Sequence, residues 1–167
     1  MGDSAGGNIA LVLGLYAASE ALKEGIECPV RNIFPISPAV DHRNENPEID
    51  AVAPHDSILS RKVIEGVSEG WKGAWSLSDP RVSPILANLS LLRCANIKVD
   101  GVVGKYDVLS PDALHSCNLL AKAGVSGDWL EWEKQLHCFP LMFPYHVHEG
   151  VAAKDWILEI LRRNAHL

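Results

Sequence analysis

Residues 2–7 of the chain read Gly-Asp-Ser-Ala-Gly-Gly, a G-x-S-x-G pattern with a serine at its centre. The pattern is that of a nucleophile elbow, a sharp turn between a strand and a helix that exposes a serine hydroxyl. Because such a turn is strained, we expect Gly2 and Gly6 to leave room for its backbone. Apolar residues with helical spacing follow directly. The pattern therefore predicts that Ser4 is a covalent catalyst.

The rest of the chain alternates between strand and helix patterns. Such alternation implies an α/β fold with a mainly parallel sheet flanked by helices. Right-handed crossovers then bring the carboxyl ends of the strands to one edge, where active sites lie. The predicted elements are a helix over 5–22 that stops at Gly25, a buried strand over 28–40, a polar surface excursion over 41–56, a helix capped by Ser57, a strand over 97–104, a helix from Ser110 to about Ala123, a strand over 129–136 and a helix over about 150–163.

Three residues with complementary chemistry fall at the predicted edge of the sheet. Ser4 lies in the elbow, Asp107 follows the strand over 97–104, and His137 follows the strand over 129–136. A serine hydroxyl is a poor nucleophile at neutral pH and needs a base to take its proton. The base in turn needs a third group that fixes its tautomer and stabilises its charge. These residues are the candidate nucleophile, acid and base of a catalytic triad.

Spacing alone leaves alternatives for the acid and for the base. Asp112 lies five residues after Asp107, and His146 and His148 follow His137 within eleven residues. Asp107 is favoured because it lies closer to the end of its strand. The remaining histidines are interpreted by their positions. We expect solvated side chains at His42, His55 and His166, and a mid-helix residue at His115.

Composition excludes several classes of function. The chain has 167 residues, enough for one domain, and a formal net charge of −6, which argues against nucleic acid or an anionic membrane as a partner. We find no apolar run that predicts a membrane-spanning helix. The cysteines are irregularly spaced, so we predict buried free thiols, no zinc site and a cytoplasmic protein. They are Cys28, Cys94, Cys117 and Cys138.

Three segments resemble the hormone-sensitive-lipase-like branch of the α/β hydrolases, also called the α/β hydrolase fold-3 group. Residues 2–8 (GDSAGGN) are similar to the serine motif of that branch. Residues 79–84 (DPRVSP) with 104–109 (GKYDVL) and Asp112-Ala113 resemble its acid segment, and residues 137–139 (HCF) resemble its base segment. The order serine, acid, histidine is also the one found in α/β hydrolases.

The resemblance implies a carboxylic ester hydrolase that acts on small or medium acyl esters without a metal or an organic cofactor. Ser4 would be the nucleophile, His137 the base and Asp107 the residue that orients it, while the backbone N–H of Ala5 would bind the oxyanion. Residues 41–78 would form a helical cap segment over the acyl pocket. For Trp71 and Trp75 within it, packing is favoured over lining the pocket.

The sequence departs from the family in one respect. Family members carry a His-Gly-Gly-Gly type loop upstream of the serine that supplies oxyanion donors, and residues 1–167 contain none. We therefore expect the chain to be a single partial domain, the C-terminal portion of an esterase, with little or no activity by itself. The alternatives are a non-catalytic remnant that binds a small ligand or a protein partner, and a hydrolase of amides or lactones.

Overall fold

The computed structural model describes residues 1–165. Its elements confirm the alternation of strands and helices that the sequence predicts. Three short 3-10 segments, Ala53–His55, Pro84–Leu86 and Phe139–Tyr145, interrupt the connections. The strands and α-helices are β1 (Gly2–Asp3), α1 (Ala5–Glu24), β2 (Asn32–Ile33), β3 (Pro35–Ile36), α2 (Glu48–Val52), α3 (Arg61–Trp71), α4 (Ser90–Cys94), β4 (Lys98–Val99), β5 (Gly101–Gly104), α5 (Ser110–Lys122), β6 (Trp129–Trp132) and α6 (His148–Ala165).

The main sheet has four parallel strands in the order β1-β3-β5-β6, and β2 and β4 form a second parallel pair. In its register Asp3 faces Ile36, Ile36 faces Val102, and Val102 faces Leu130. The carboxyl ends of β1, β5 and β6 therefore point to one edge, and they lead to Ser4, Asp107 and His137. The predicted α/β class and the parallel sheet are confirmed.

Helices cover the sheet through two separate apolar clusters. Ile33 belongs to a cluster with α1, α4 and β4, whereas the next residue, Phe34, belongs to a cluster with β5 and α6. Successive residues of an extended chain point to opposite sides, which explains this division. The α6 cluster includes Phe139, which follows His137 closely, so packing against α6 helps to fix the loop that bears the base.

Helix α1 begins directly after Ser4 and ends at Gly25, which adopts the left-handed conformation with φ 66° and caps the helix as the sequence predicts. By length and composition, α1 is also apolar enough to cross a membrane, contrary to our expectation, but the buried core helix of a soluble protein meets the same criterion. Its inner face packs in the core through Leu11, Leu15, Ala18 and Ala21.

Several predicted boundaries are wrong. The strand predicted over 28–40 is reduced to β2 and β3, and β6 ends at Trp132, several residues before His137. Helix α3 begins at Arg61, and its cap is Ser60 rather than Ser57, because the Ser60 hydroxyl accepts a hydrogen bond from the N–H of Val63.

The excursion over 41–56 is not wholly a surface segment. It contains α2, and Asp41, His42 and Asn44 within it are buried. Burial is tolerated where their polar groups bond to neighbours, as the Asp41 carboxylate does to the Arg43 guanidinium. The prediction that His42 is solvated is therefore wrong.

All four cysteines are free thiols, as predicted, but their burial differs from the prediction. Cys28 is buried and Cys94 is exposed, while Cys117 and Cys138 are half-buried. Cys138 is of interest because it adjoins the candidate base, His137.

Candidate active site

Ser4 occupies a strained turn between β1 and α1. Its backbone has φ 52° and ψ −117°, a conformation that L-residues rarely adopt. The Ser4 N–H donates to the carbonyl of Ile36, and the Ser4 carbonyl accepts from the N–H groups of Gly7, Asn8 and Ala39. The surrounding backbone thus fixes the turn, which is the geometry that a nucleophile elbow requires.

The glycines around Ser4 differ in what they contribute to this turn. A Cβ on Gly2 would lie 2.2 Å from the carbonyl oxygen of Gly6, so only glycine fits at position 2. A Cβ on Gly7 would lie 2.9 Å from Cβ of Pro38, whereas a Cβ on Gly6 would meet nothing within 4 Å. The expectation of close packing is confirmed for Gly2, but Gly7 rather than Gly6 is the second crowded position.

Asp107 lies fully buried in the turn between β5 and α5. Its Oδ1 accepts a hydrogen bond from the N–H of Leu109 at 2.9 Å, and its Oδ2 lies 2.9 Å from Nδ1 of His137. Asp56 supports the turn, because its Oδ2 accepts from the N–H of Val108. These contacts leave one carboxylate oxygen of Asp107 for the imidazole.

The His137 imidazole lies between a carboxylate and a thiol. Its Nδ1 bonds to Asp107, and its Nε2 lies 3.4 Å from Sγ of Cys138. Burial lowers the pKa of His137, but the hydrogen bonds with Asp107 and Cys138 outweigh burial and raise the pKa from 6.5 to about 10. Asp107 and Cys138 thus favour the protonated ring, which must lose the proton on Nε2 before it can act as a base.

Backbone contacts hold the acid turn and the base loop together. The N–H of Lys105 donates to the carbonyl of Trp132, and the N–H of Tyr106 donates to that of Gln135. A Cβ on Gly104 would lie 2.5 Å from the Gln135 oxygen, so this close approach requires glycine at the end of β5.

Ser37 connects the elbow to the base loop, a role that sequence reasoning missed. It is fully buried with φ 45°, and it follows Ile36, whose carbonyl binds the Ser4 N–H. Its hydroxyl accepts a hydrogen bond from the N–H of Cys138 at 3.0 Å. The end of β3 thus contacts both Ser4 and the residue next to His137.

The structure brings Asp107 and His137 into contact but does not bond the Ser4 hydroxyl to the imidazole. Among residues 1–165, no hydrogen bond of Ser4 Oγ is found, and Nε2 of His137 faces Cys138 instead. Catalytic hydrogen bonds of this kind are often long without substrate and tighten when it binds.

The alternative acid and bases lie elsewhere. Asp112 is in α5, where its Oδ1 accepts from Asn46, and His146 and His148 are exposed. The remaining histidines are distributed as follows: His55 is exposed and stacks on Tyr106, His115 is exposed in α5, and His166 lies outside the described residues.

The other predicted site residues have simpler surroundings. Ala5 is the first residue of α1, so its N–H has no partner within the helix, as an oxyanion donor requires. Trp71 stacks on His42, and Trp75 lies under the Arg81 guanidinium, so neither lines the cavity beside Ser4. Within residues 1–165, no group of three or more His, Cys, Asp or Glu side chains is arranged to hold a metal ion.

Asn8 is a further residue whose role sequence reasoning missed, although the GDSAGGN segment contains it. It is buried in α1, and its Nδ2 donates to the carbonyls of Ala39 and Val82 at 2.7 and 2.8 Å. Through these bonds the residues after the elbow are tied to the 79–84 segment.

Comparisons with known proteins show the family of the chain. A family model described as the alpha/beta hydrolase fold matches residues 1–141. "Probable carboxylesterase 4, mitochondrial" of Arabidopsis thaliana is 32% identical over 153 residues, which are 86% of this chain and 37% of that protein.

Solved esterases share the fold. A crystal structure of EstE5 soaked with ethyl alcohol superposes with a TM-score of 0.84 at 26% identity, over 99% of this chain and 53% of that one. A hormone-sensitive lipase from a metagenome library has a TM-score of 0.79 at 25% identity, over 98% of this chain and 53% of that one. The chain thus spans about half the length of these structures, and it belongs to the hormone-sensitive-lipase-like, fold-3 family of α/β hydrolases.

Proposed function

We propose that the chain carries the catalytic residues of a carboxylic ester hydrolase that cleaves esters of small or medium acyl groups. Ser4 is the nucleophile, His137 is the general base and acid, and Asp107 orients the imidazole. The observation that carries this proposal is the 2.9 Å contact between His137 Nδ1 and Asp107 Oδ2, at the sheet edge where the strained Ser4 turn also lies.

The reaction would proceed in two halves. Ser4 Oγ attacks the ester carbonyl carbon while its proton passes to Nε2 of His137, and the oxyanion that forms accepts a hydrogen bond from the N–H of Ala5. The carbon–oxygen bond to the alcohol then breaks, and the alcohol leaves with the proton from His137. Water attacks the acyl group in the same way, which releases the carboxylic acid and returns a proton to Ser4.

We expect the 167-residue chain to be weakly active or inactive by itself. The oxyanion needs more than one donor, and the chain offers the Ala5 N–H but no His-Gly-Gly-Gly type segment. Loss of one oxyanion donor typically costs about 2.7–4 kcal/mol of transition-state stabilisation, a factor of roughly 10²–10³ in kcat.

A second candidate function is non-catalytic binding of a small ligand or a protein partner. One observation favours it: among residues 1–165 the Ser4 hydroxyl has no hydrogen bond to a base, and Cys138 Sγ lies against the nitrogen that the mechanism needs. A third candidate is cleavage of amides or lactones by the same residues, because the triad serves acyl transfer in general.

Labelling with a fluorophosphonate separates these candidates without requiring turnover. The purified chain is treated with the reagent, digested and mapped by mass spectrometry, and Ser4→Ala is the control. We expect the label on the Ser4 peptide. A folded protein that takes no label at Ser4 would contradict the hydrolase and support the binding function. Esters and anilides of one acyl group then distinguish ester from amide hydrolysis.

A further inference from the structure

His55 and Asp56, at the end of the 3-10 segment that follows α2, contact both neighbours of Asp107 in the chain. The His55 ring stacks on the Tyr106 ring, with 4.7 Å between the ring centroids. Oδ2 of Asp56 accepts a hydrogen bond from the N–H of Val108 at 2.9 Å, across 52 residues of the chain. The turn that bears the proposed catalytic acid is therefore held by a segment that is distant in sequence.

The hydrogen bond from Val108 fixes the peptide plane that joins Asp107 to Val108. On the other side of this plane, the Asp107 carbonyl accepts a hydrogen bond from the N–H of Ser110 at 2.8 Å. Val108 is fully buried, so without Asp56 its N–H would have no acceptor among residues 1–165. Because this peptide plane sets the direction in which the Asp107 side chain leaves the backbone, Asp56 influences the carboxylate that contacts His137.

The other oxygen of Asp56 holds the wall of the cavity beside Ser4. Oδ1 accepts hydrogen bonds from the N–H of Ile58 at 2.8 Å and from the N–H of Leu59 at 3.0 Å. Leu59 lines that cavity, and so does Leu109, which belongs to the acid turn. A single carboxylate thus joins the cavity wall to the acid turn, and both of its oxygens are used.

We propose that Asp56 is a positioning residue of the hydrolase, which keeps Asp107 oriented towards His137 by fixing the acid turn to the wall of the cavity beside Ser4. Asp56 acts through Asp107 and takes no part in proton transfer. This inference rests on the proposed function, since it takes Asp107 as the catalytic acid.

Asp56→Asn breaks this link with almost no change in size. A carboxamide has one acceptor oxygen, and its NH₂ group can only donate. In one orientation the NH₂ group would face the N–H of Val108, and in the other it would face the N–H groups of Ile58 and Leu59. The carboxamide therefore loses one side of the link whichever way it turns.

Asp50→Asn is the matched control. It removes the same charge from the same part of the chain, but Asp50 bonds to the guanidinium of Arg61 and not to the acid turn. A change that follows from lost charge alone should therefore appear equally in both variants.

The pH profile of fluorophosphonate labelling at Ser4 distinguishes positioning from a loss of stability. Burial lowers the pKa of His137, but the hydrogen bond with Asp107 raises it. In Asp56→Asn we expect that bond to weaken, so the midpoint of the profile should move to lower pH. The limiting rate at high pH should fall by roughly 10- to 100-fold, as when a reacting group is misplaced by about 1 Å. A merely structural role would lower the yield of labelled protein without moving the midpoint.

The ¹H resonance of the Nδ1–H group of His137 reports its contact with Asp107 without any labelling. Charge-assisted hydrogen bonds are short and strong, and they move the shared proton downfield. We expect this resonance to move upfield in Asp56→Asn and to stay in place in Asp50→Asn.

The original chain gives a further readout that does not depend on the folding of a variant. We expect the amide protons of Ile58, Leu59 and Val108 to move together with the ¹³C carboxyl signal of Asp56 as acid is added. A Val108 amide proton that does not follow this signal would overturn the proposal.

An unchanged Nδ1–H resonance and an unchanged pH midpoint in a folded Asp56→Asn variant would also overturn it. A Ser4 that takes no label in the original chain would instead contradict the proposed hydrolase. In that case the Nδ1–H and amide resonances still decide whether Asp56 holds Asp107 against His137.

Discussion

His137 Nδ1 lies 2.9 Å from Asp107 Oδ2, and the other oxygen of Asp107 is held by the N–H of Leu109. This relationship fixes the His137 ring through a carboxylate that is itself fully buried and hydrogen-bonded. When the ring is neutral, this orientation keeps its proton on Nδ1, and Nε2 is then the nitrogen that could take the proton of a serine.

Asp107→Asn tests that arrangement with little change in shape. The Oδ1 atom of the asparagine would keep the bond from Leu109, so its NH₂ group would face Nδ1 and impose the wrong tautomer on His137. We expect the rate of fluorophosphonate labelling at Ser4 to fall by about 10³- to 10⁴-fold.

Asp112→Asn is the matched control for that variant. Asp112 bonds to Asn46 and not to His137, so its labelling rate should stay within a few-fold of the original. Equal losses in the two variants would show that Asp107 has no special relation to the base.

The pH dependence of labelling tests the position of Cys138. A base must be neutral to take a proton, and His137 has its pKa raised from 6.5 to about 10. We therefore expect the labelling rate to rise with pH above neutrality. Cys138→Ala removes one of the hydrogen bonds that raise the pKa, so its profile should shift to lower pH. A profile unchanged by Cys138→Ala would contradict this role of the thiol.

The raised pKa of His137 also makes the stability of the folded state depend on pH. A histidine whose pKa is higher in the folded state stabilises the protein fully below the unfolded value of 6.5. That contribution is lost as the pH rises towards about 10. We expect the difference in unfolding free energy between the chain and His137→Gln to shrink across this interval, as measured by urea denaturation.

Asp112 should oppose folding at neutral pH. Burial raises its pKa from 3.8 to about 6, although the hydrogen bond from Asn46 lowers it. The folded state thus binds the proton more tightly than the unfolded state, and stability falls as the pH rises between these values. Asp112→Asn should stabilise the chain at pH 7–8 by about 2–3 kcal/mol in urea denaturation, with a smaller effect near pH 4. Equal effects at both pH values would argue against a buried charge at this position.

The two outer glycines of the elbow pattern offer a matched pair. Gly2→Ala would place a Cβ 2.2 Å from the Gly6 carbonyl oxygen, so we expect the turn to shift and labelling of Ser4 to fall sharply. Gly6→Ala meets nothing within 4 Å and replaces a glycine inside α1, so it should stabilise the chain by about 0.5–1 kcal/mol. A loss of Ser4 labelling or of stability that is larger in Gly6→Ala than in Gly2→Ala would contradict the observed geometry.

Much of the fold could be predicted because its signals are local. The close packing at Gly2, the periodic helix after Ser4 and the stop at Gly25 each depend on neighbouring residues, and the structure confirms them. The positions of Asp107 and His137 after strands followed from the rule that parallel strands end at one edge. The choice between Asp107 and Asp112 depended on which carboxylate reaches the imidazole, and spacing could not decide that.

The features that the sequence did not indicate depend on contacts between residues that are distant along the chain. The segment over 41–56 is polar and was therefore interpreted as a surface segment. Its His42 is nevertheless buried, and Nδ1 of that ring lies 2.9 Å from Oγ of Ser68 in α3. Ser37 lies within the strand predicted over 28–40, and no local pattern indicates its bond to Cys138, which spans 101 residues of the chain. Composition averages over such pairings and cannot detect them.

The proposed hydrolysis depends on activation of the Ser4 hydroxyl by His137. The most direct measurement is the second-order rate constant of fluorophosphonate labelling at Ser4 in the original chain and in His137→Gln, with circular dichroism as a check of folding. We expect labelling at Ser4 to slow by about 10²- to 10⁴-fold in the variant, the usual contribution of a positioned base. Labelling of Ser4 at the same rate in both proteins would contradict it.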